Sequence, residues 1–272
     1  MSPRKRWPTV IVPIILFLLY AAGAWSMLRS VSDRRLTPFA WTLSLAAILA
    51  HSAAIAHLMR RVGPFSIGLL EAISLLAWTL AVLACLIAIE RQYRVLGAIL
   101  LGSAALGATA TGSGEKFHVD RVPEWELSAH ILLSMAAAAL LFAAAVTASM
   151  LVLLDRRLRS RRIAHLPSVL PPIDVLENVM FRLIGTGFAL LTLALFTGFA
   201  FVRNLHAQHL VHKTVLSVMA WVLFAILLFG RIRYGWRGRS ALRFTLAGFA
   251  VLLLAYFGSK FVLEDIFRRH WG

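Results

Sequence analysis

FRLIGTGFALLTLALFTGFAFVRNLHAQHLVHKTVLSVMAWVLFAILL, Phe181 to Leu228, decides the fold. Two apolar runs flank a short polar segment. Each run has the roughly 20 residues that carry a helix across a hydrocarbon core. The polar segment holds His206, His209 and His212 and so lies at one membrane surface. Histidine is costly at membrane depth, and three at a helix mouth call for a ligand, a metal or a proton.

The same pattern repeats outward from this stretch. The chain has 272 residues, 60% hydrophobic and 15% charged, against about 45–50% apolar in a soluble domain. The excess sits in long runs rather than at scattered core positions. It predicts an all-α polytopic membrane helical bundle of about eight transmembrane helices, one integral-membrane domain over residues 1–272. The runs are Pro8–Leu28, Leu36–Met59, Phe65–Ile89, Tyr93–Thr111, Trp125–Leu154, Asn178–Val202, Val211–Gly230 and Ala241–Leu263. The fourth contains GAILLGSAALGATATG, whose small residues let helices approach closely. The first has a second reading, a cleavable signal peptide with Arg4, Lys5 and Arg6 ahead of the apolar run. Pro13 and the continuation of the run to Leu28 favour an uncleaved helix.

The net charge of +16 does not mark a nucleic-acid binder, because its arginines collect in short loops between spans. Fifteen arginines fall on one face of the predicted topology, against eleven Lys and Arg on the face shared by the termini. The positive-inside rule then makes the arginine-rich face cytoplasmic and puts both termini outside. The longest cytoplasmic connection is the linker 155–177. Its half DRRLRSRRIAH suits anionic headgroups, and its half LPSVLPPIDVLE has three prolines and cannot be one continuous helix. The single cysteine, Cys85, lies in an apolar run, and there is no CxxC or CxxCH. Thiol–disulfide exchange by that motif and covalent haem attachment are both excluded.

Eight of the nine histidines fall on the outer face or in the outer half of a span; His165 alone is cytoplasmic. Two imidazoles on one haem iron must come from opposite faces of the ring, and so from different helices. His51 in the second span, His130 in the fifth and His212 in the seventh meet that condition. His51 and His57 are six residues apart, about 240° around a helix, and cannot face one site together. His206, His209 and His212 also form an HxxHxxH spacing that suits a divalent metal on one helix face, although no carboxylate accompanies them. Glu71, Arg182 and Lys260 are the remaining ionisable residues inside spans. Glu71 needs a proton or a cationic partner, Arg182 reaches the headgroups, and Lys260 reaches outward or meets a haem propionate.

Several stretches resemble one family in order along the chain. They are HILLSMAAAALLFAA from His130, PPIDVLENVMFRLIG, GFALLTLALFTGF from Gly187 to Phe199, KTVLSVMAWVLFAILLFGR, and YGWRGRSALRFTLAGFAVLLLAYFGSKF. The family is the CcsA-type cytochrome c assembly transmembrane family, and in particular its inner-membrane YpjD-type branch. The likeness is strongest over 125–265. It implies haem handling on the outer side of a bacterial inner membrane, with His130 as the histidine of the fifth span. His51 is its counterpart in the second, and His212 stands at the mouth of the seventh. The implied cofactor is non-covalent haem b, with haem iron as the metal. The implied partners are haem and other cytochrome c biogenesis membrane proteins or apocytochrome, besides the lipid bilayer.

One departure bears on activity. Haem-handling members carry a tryptophan-rich WGxxWxWD segment before the KxT stretch, whereas this chain reads FVRNLHAQHLVHKT, with neither tryptophan nor aspartate. The resemblance then implies a haem-binding or accessory role rather than a ligase. No nucleophile–base pair, phosphate loop or paired carboxylate stands in a catalytic context. Two other readings stay open: a small-solute transporter or permease, weakly suggested by Gly185, Gly187 and Gly198, and a ligand-free structural subunit of a membrane complex.

Overall fold

The computed structural model describes residues 7–62, 69–111, 124–159, 172–201 and 208–258. These residues form eight α-helices and no strand: α1 Trp7–Arg29, α2 Thr37–Val62, α3 Leu69–Ala88, α4 Arg94–Ala108, α5 Glu124–Arg159, α6 Ile173–Phe201, α7 Gln208–Tyr234 and α8 Arg239–Leu253. A π-helical turn, Leu254–Gly258, follows α8. Seven of the helices, all but α4, are long and apolar enough to cross a membrane. Large apolar side chains such as Leu18, Leu49, Leu86, Phe196 and Ile232 are exposed along them. On a water-facing surface that belt would be a liability; against lipid it is the expected outer face. The chain is an all-α polytopic helical membrane protein.

The contacts divide the chain into two compact units: residues 1–127 with 164–172, and residues 128–163 with 173–272. Unit 1 contains α1 to α4. Its inner helix is α4, which packs on both α1 and α3. At 15 residues α4 is about 22 Å long, short of a core of about 30 Å. Nine of those residues are buried. The glycine-rich run expected as the fourth span is a short helix packed closely against α1 and α3. The reason is side-chain volume: a Cβ on Gly107 would lie 2.8 Å from the Cβ of Ala77 on α3. Only a hydrogen there lets the two backbones meet so closely.

Two loop arginines counted as topology signals also close unit 1. Arg91 donates to the carbonyl of Val31 at 2.7 Å, and Arg94 donates to the Ser30 carbonyl at 3.2 Å and to Thr37 Oγ1 at 3.1 Å. These carbonyls follow the end of α1, where helical acceptors run out of partners. Cationic side chains also suit the negative end of the helix dipole.

Unit 2 is built on α5, the helix with the most buried span. Its alanine run, including Ala137, Ala138, Ala139, Ala143, Ala144 and Ala145, is buried, so neighbouring helices can come close. Phe142 of α5 meets Phe249 of α8 edge-on at 5.5 Å, and Trp221 of α7 stacks on Phe188 of α6 at 5.4 Å while donating to Thr192 Oγ1 at 2.8 Å. At the end where α7 hands over to α8, Glu177 pairs with Arg231 at 3.7 Å and accepts from the Gly238 N–H at 3.4 Å.

The linker 155–177 is shorter than the sequence suggests. Helix α5 runs on to Arg159 and α6 starts at Ile173, leaving 160–171 outside the described residues. Pro172 directly precedes α6, where a missing N–H costs nothing and a fixed φ suits helix entry.

Candidate functional site

A cavity with a histidine on its wall lies in unit 2 and measures about 220 Å³. His130 stands near the start of α5 and Thr197 near the end of α6, so their antiparallel run brings the two together. Thr197 Oγ1 lies 3.0 Å from His130 Nδ1 and donates to the Ala194 carbonyl at 3.0 Å. Nε2 of His130 makes no hydrogen bond to a described residue. The ring meets α6 by its Cε1 edge, so that a Cβ on Gly198 would sit 3.1 Å from His130 Cε1. A bulkier residue there would push the imidazole aside.

The polar part of the wall comprises His130, Ser134, Lys213, Ser217 and Tyr256. Leu191, Leu195 and Leu252 supply an apolar part. Tyr256 reaches the Ser134 carbonyl at 3.5 Å, tying the turn after α8 to α5. Lys213 is exposed at the α7 side of the cavity. The space combines an imidazole nitrogen lone pair or N–H, an apolar wall and an ammonium. It can hold part of an amphipathic group that carries a Lewis acid and a negative charge. Its volume falls below the roughly 300–1,000 Å³ that encloses a whole drug-sized ligand. A larger group would enter by one edge.

Of the three histidines expected from the sequence, His130 lines this cavity. His212 falls in the opening turns of α7, one residue before Lys213; its side chain is outside the described residues, like that of His209. His51 belongs to unit 1 and is 0% exposed. Its Nδ1 is 3.1 Å from the Tyr20 hydroxyl; its Nε2 is 2.9 Å from Ser74 Oγ and 3.3 Å from Thr111 Oγ1. Ser74 and Thr111 also bond each other at 2.8 Å. Hydroxyls from α1, α3 and the turn after α4 thus converge on the imidazole of α2, with both nitrogens engaged. His57 is exposed, while His118, His165, His206, His270 and Lys260 lie outside the described residues. Among the described residues no three His, Cys, Asp or Glu side chains are grouped to hold a metal ion.

Glu71, one turn before Ser74 on α3, is buried, and neither carboxylate oxygen has a hydrogen-bond partner. Arg182, expected to reach the headgroups, is exposed on α6.

The sequence reading missed Thr197, Ser134 and Tyr256 at the cavity, and Tyr20, Ser74 and Thr111 around His51. The available signal was a lone hydroxyl inside an apolar run, which in a membrane helix usually has a partner across the bundle.

The sequence profile described as "Cytochrome C assembly protein" matches residues 45–267. The chain belongs to this family. The inner membrane protein YpjD of Escherichia coli (strain K12) is 38% identical over 149 residues, 55% of this chain and 56% of that protein. An uncharacterized 28.8 kDa protein of Azospirillum brasilense is 39% identical over 140 residues, 50% of this chain and 51% of that protein. The cytochrome c biogenesis protein CcsA of a Picosynechococcus strain is 30% identical over 107 residues, 39% of this chain and 32% of that protein. The chain thus spans about half the length of the first two relatives and a third of the last. No solved structure matches. The His130 cavity lies within the matched residues of the family, as do His51, Ser74 and Thr111, whereas Tyr20 precedes them.

Proposed function

We propose that this protein of the cytochrome c assembly family binds haem b without a covalent bond, at the outer face of a bacterial inner membrane. It takes part there in cytochrome c biogenesis, with haem and other biogenesis membrane proteins or apocytochrome as its partners. The carrying observation is His130, whose Nδ1 is engaged by Thr197 and whose side chain lines a partly apolar cavity. Bound haem supplies an iron that accepts an imidazole lone pair on each face.

His130 would hold the haem iron, and His212 is the candidate to hold it with His130, because α7 reaches the same cavity through the adjoining Lys213. His51 lies in unit 1 with both ring nitrogens already bonded to hydroxyls. Lys213 suits a haem carboxylate, and Leu191, Leu195 and Leu252 suit the macrocycle edge. The names of the relatives, an inner membrane protein and cytochrome c biogenesis proteins, support the setting. The chain's own residues bind and orient; no catalytic step is assigned to them.

The test is expression with haem supplementation, followed by absorption spectroscopy of the purified protein. Wild type is expected to show a Soret band that His130→Ala abolishes and that His212→Ala shifts or weakens. A wild type with no Soret band, or a band unaltered in His130→Ala, His212→Ala and His51→Ala, removes the haem site. It leaves the transporter or ligand-free subunit in its place.

A further inference from the structure

The hydrogen-bond inventory at His130 goes one step past ligand identity. A threonine hydroxyl has one hydrogen and two lone pairs. Thr197 Oγ1 lies 3.0 Å from the Ala194 carbonyl, one turn back on its own helix, a group that can only accept and that also takes a hydrogen bond from the His130 ring. With its hydrogen turned to that carbonyl, Thr197 can only accept from His130 Nδ1, also at 3.0 Å. The nitrogen facing it must carry the proton. A neutral imidazole has one N–H, so Nε2 is left with its lone pair.

We infer that Thr197 is a positioning residue: it fixes the neutral tautomer of His130 in which Nδ1 is protonated and Nε2 is open as an electron-pair donor to the cavity. This rests on the haem reading only for the identity of the acceptor; the tautomer itself follows from the apo geometry. Gly198, the next residue, completes the arrangement. Its missing side chain lets the ring lie at a distance where a Cβ would come within 3.1 Å of Cε1. The pair Thr197-Gly198 thus holds both the protonation pattern and the plane of the ring. Ligating histidines are commonly oriented by an acceptor on their second nitrogen, and losing such an acceptor weakens metal binding by about 10–100-fold. Here the acceptor is a neutral hydroxyl, which fixes direction without adding charge to the membrane interior.

Two substitutions separate this role from simple packing. Thr197→Val keeps the shape and removes the acceptor; Thr197→Ser keeps the acceptor and removes a methyl group. The first readout needs no haem: nitrogen-15 NMR of histidine-labelled full-length protein, with the His130 signals identified by their loss in His130→Ala. Wild type and Thr197→Ser are expected to show the Nδ1–H tautomer, and Thr197→Val a population moved toward Nε2–H. The second readout is haem titration, where Thr197→Val is expected to bind about 10–100-fold more weakly and Thr197→Ser like wild type. A wild-type His130 protonated on Nε2, or a Thr197→Val protein matching wild type in its NMR signature, overturns the inference. If the tautomer pattern holds while wild type binds no haem, the positioning role stands and the haem assignment falls.

Discussion

Substituting His51 separates a structural imidazole from a ligating one. In the structure the ring is fully buried and bonded to three hydroxyls, from α1, from α3 and from the turn after α4. Hydrogen bonds between membrane helices contribute about 0.6 kcal/mol on average and up to about 1.7. Tyr20→Phe removes only the hydroxyl at 3.1 Å and should cost about 0.6–1.7 kcal/mol. His51→Ala removes all three contacts and opens a void. Ser74 and Thr111 still satisfy each other at 2.8 Å, so one hydroxyl, that of Tyr20, is orphaned. Large-to-small changes at buried sites cost about 2–5 kcal/mol, and His51→Ala should fall in that range, well above Tyr20→Phe. The two changes share one bond, so the double variant should cost less than their sum by about 1 kcal/mol. The assay is reversible unfolding in mixed micelles, run without haem. A His51→Ala protein within about 0.5 kcal/mol of wild type, the usual scale of a surface change, would refute the structural role. So would strict additivity with Tyr20→Phe. Loss of a Soret band in His51→Ala at unchanged stability would instead make His51 a haem ligand.

Glu71 and the topology can be tested more simply. Glu71 has two buried oxygens without partners, so Glu71→Gln should insert and fold at wild-type yield, whereas Glu71→Lys should not. Equal yields of the two in membranes would show that the site does not discriminate charge. For orientation, reporter fusions at Ser160 and Gln208 are expected to place Ser160 in the cytoplasm and Gln208 outside. An exported reporter active at Ser160 and silent at Gln208 would invert the assignment of the termini.

Hydropathy alone determined that this chain is a helical membrane protein, because a lipid-exposed backbone has to satisfy itself within a helix. It located eight helices, seven of them long and apolar enough to cross a membrane, and the ordered motifs from His130 onward resemble the family that the chain belongs to. The glycine-rich fourth run marked a close helix contact but not its partners. Composition does not say which helices a small, apolar run meets; α4 packs on α1 and α3. The histidines show the same limit more sharply. In sequence, His51 and His130 are alike: single imidazoles in the outer halves of apolar spans. Only tertiary packing separates them. Tyr20, Ser74 and Thr111, distant in the chain, close on both nitrogens of His51. Thr197 closes on one nitrogen of His130, whose side chain lines a cavity. A residue's type states which bonds it can make. The partners that reach it from other helices decide which are already made, and that is set by the fold.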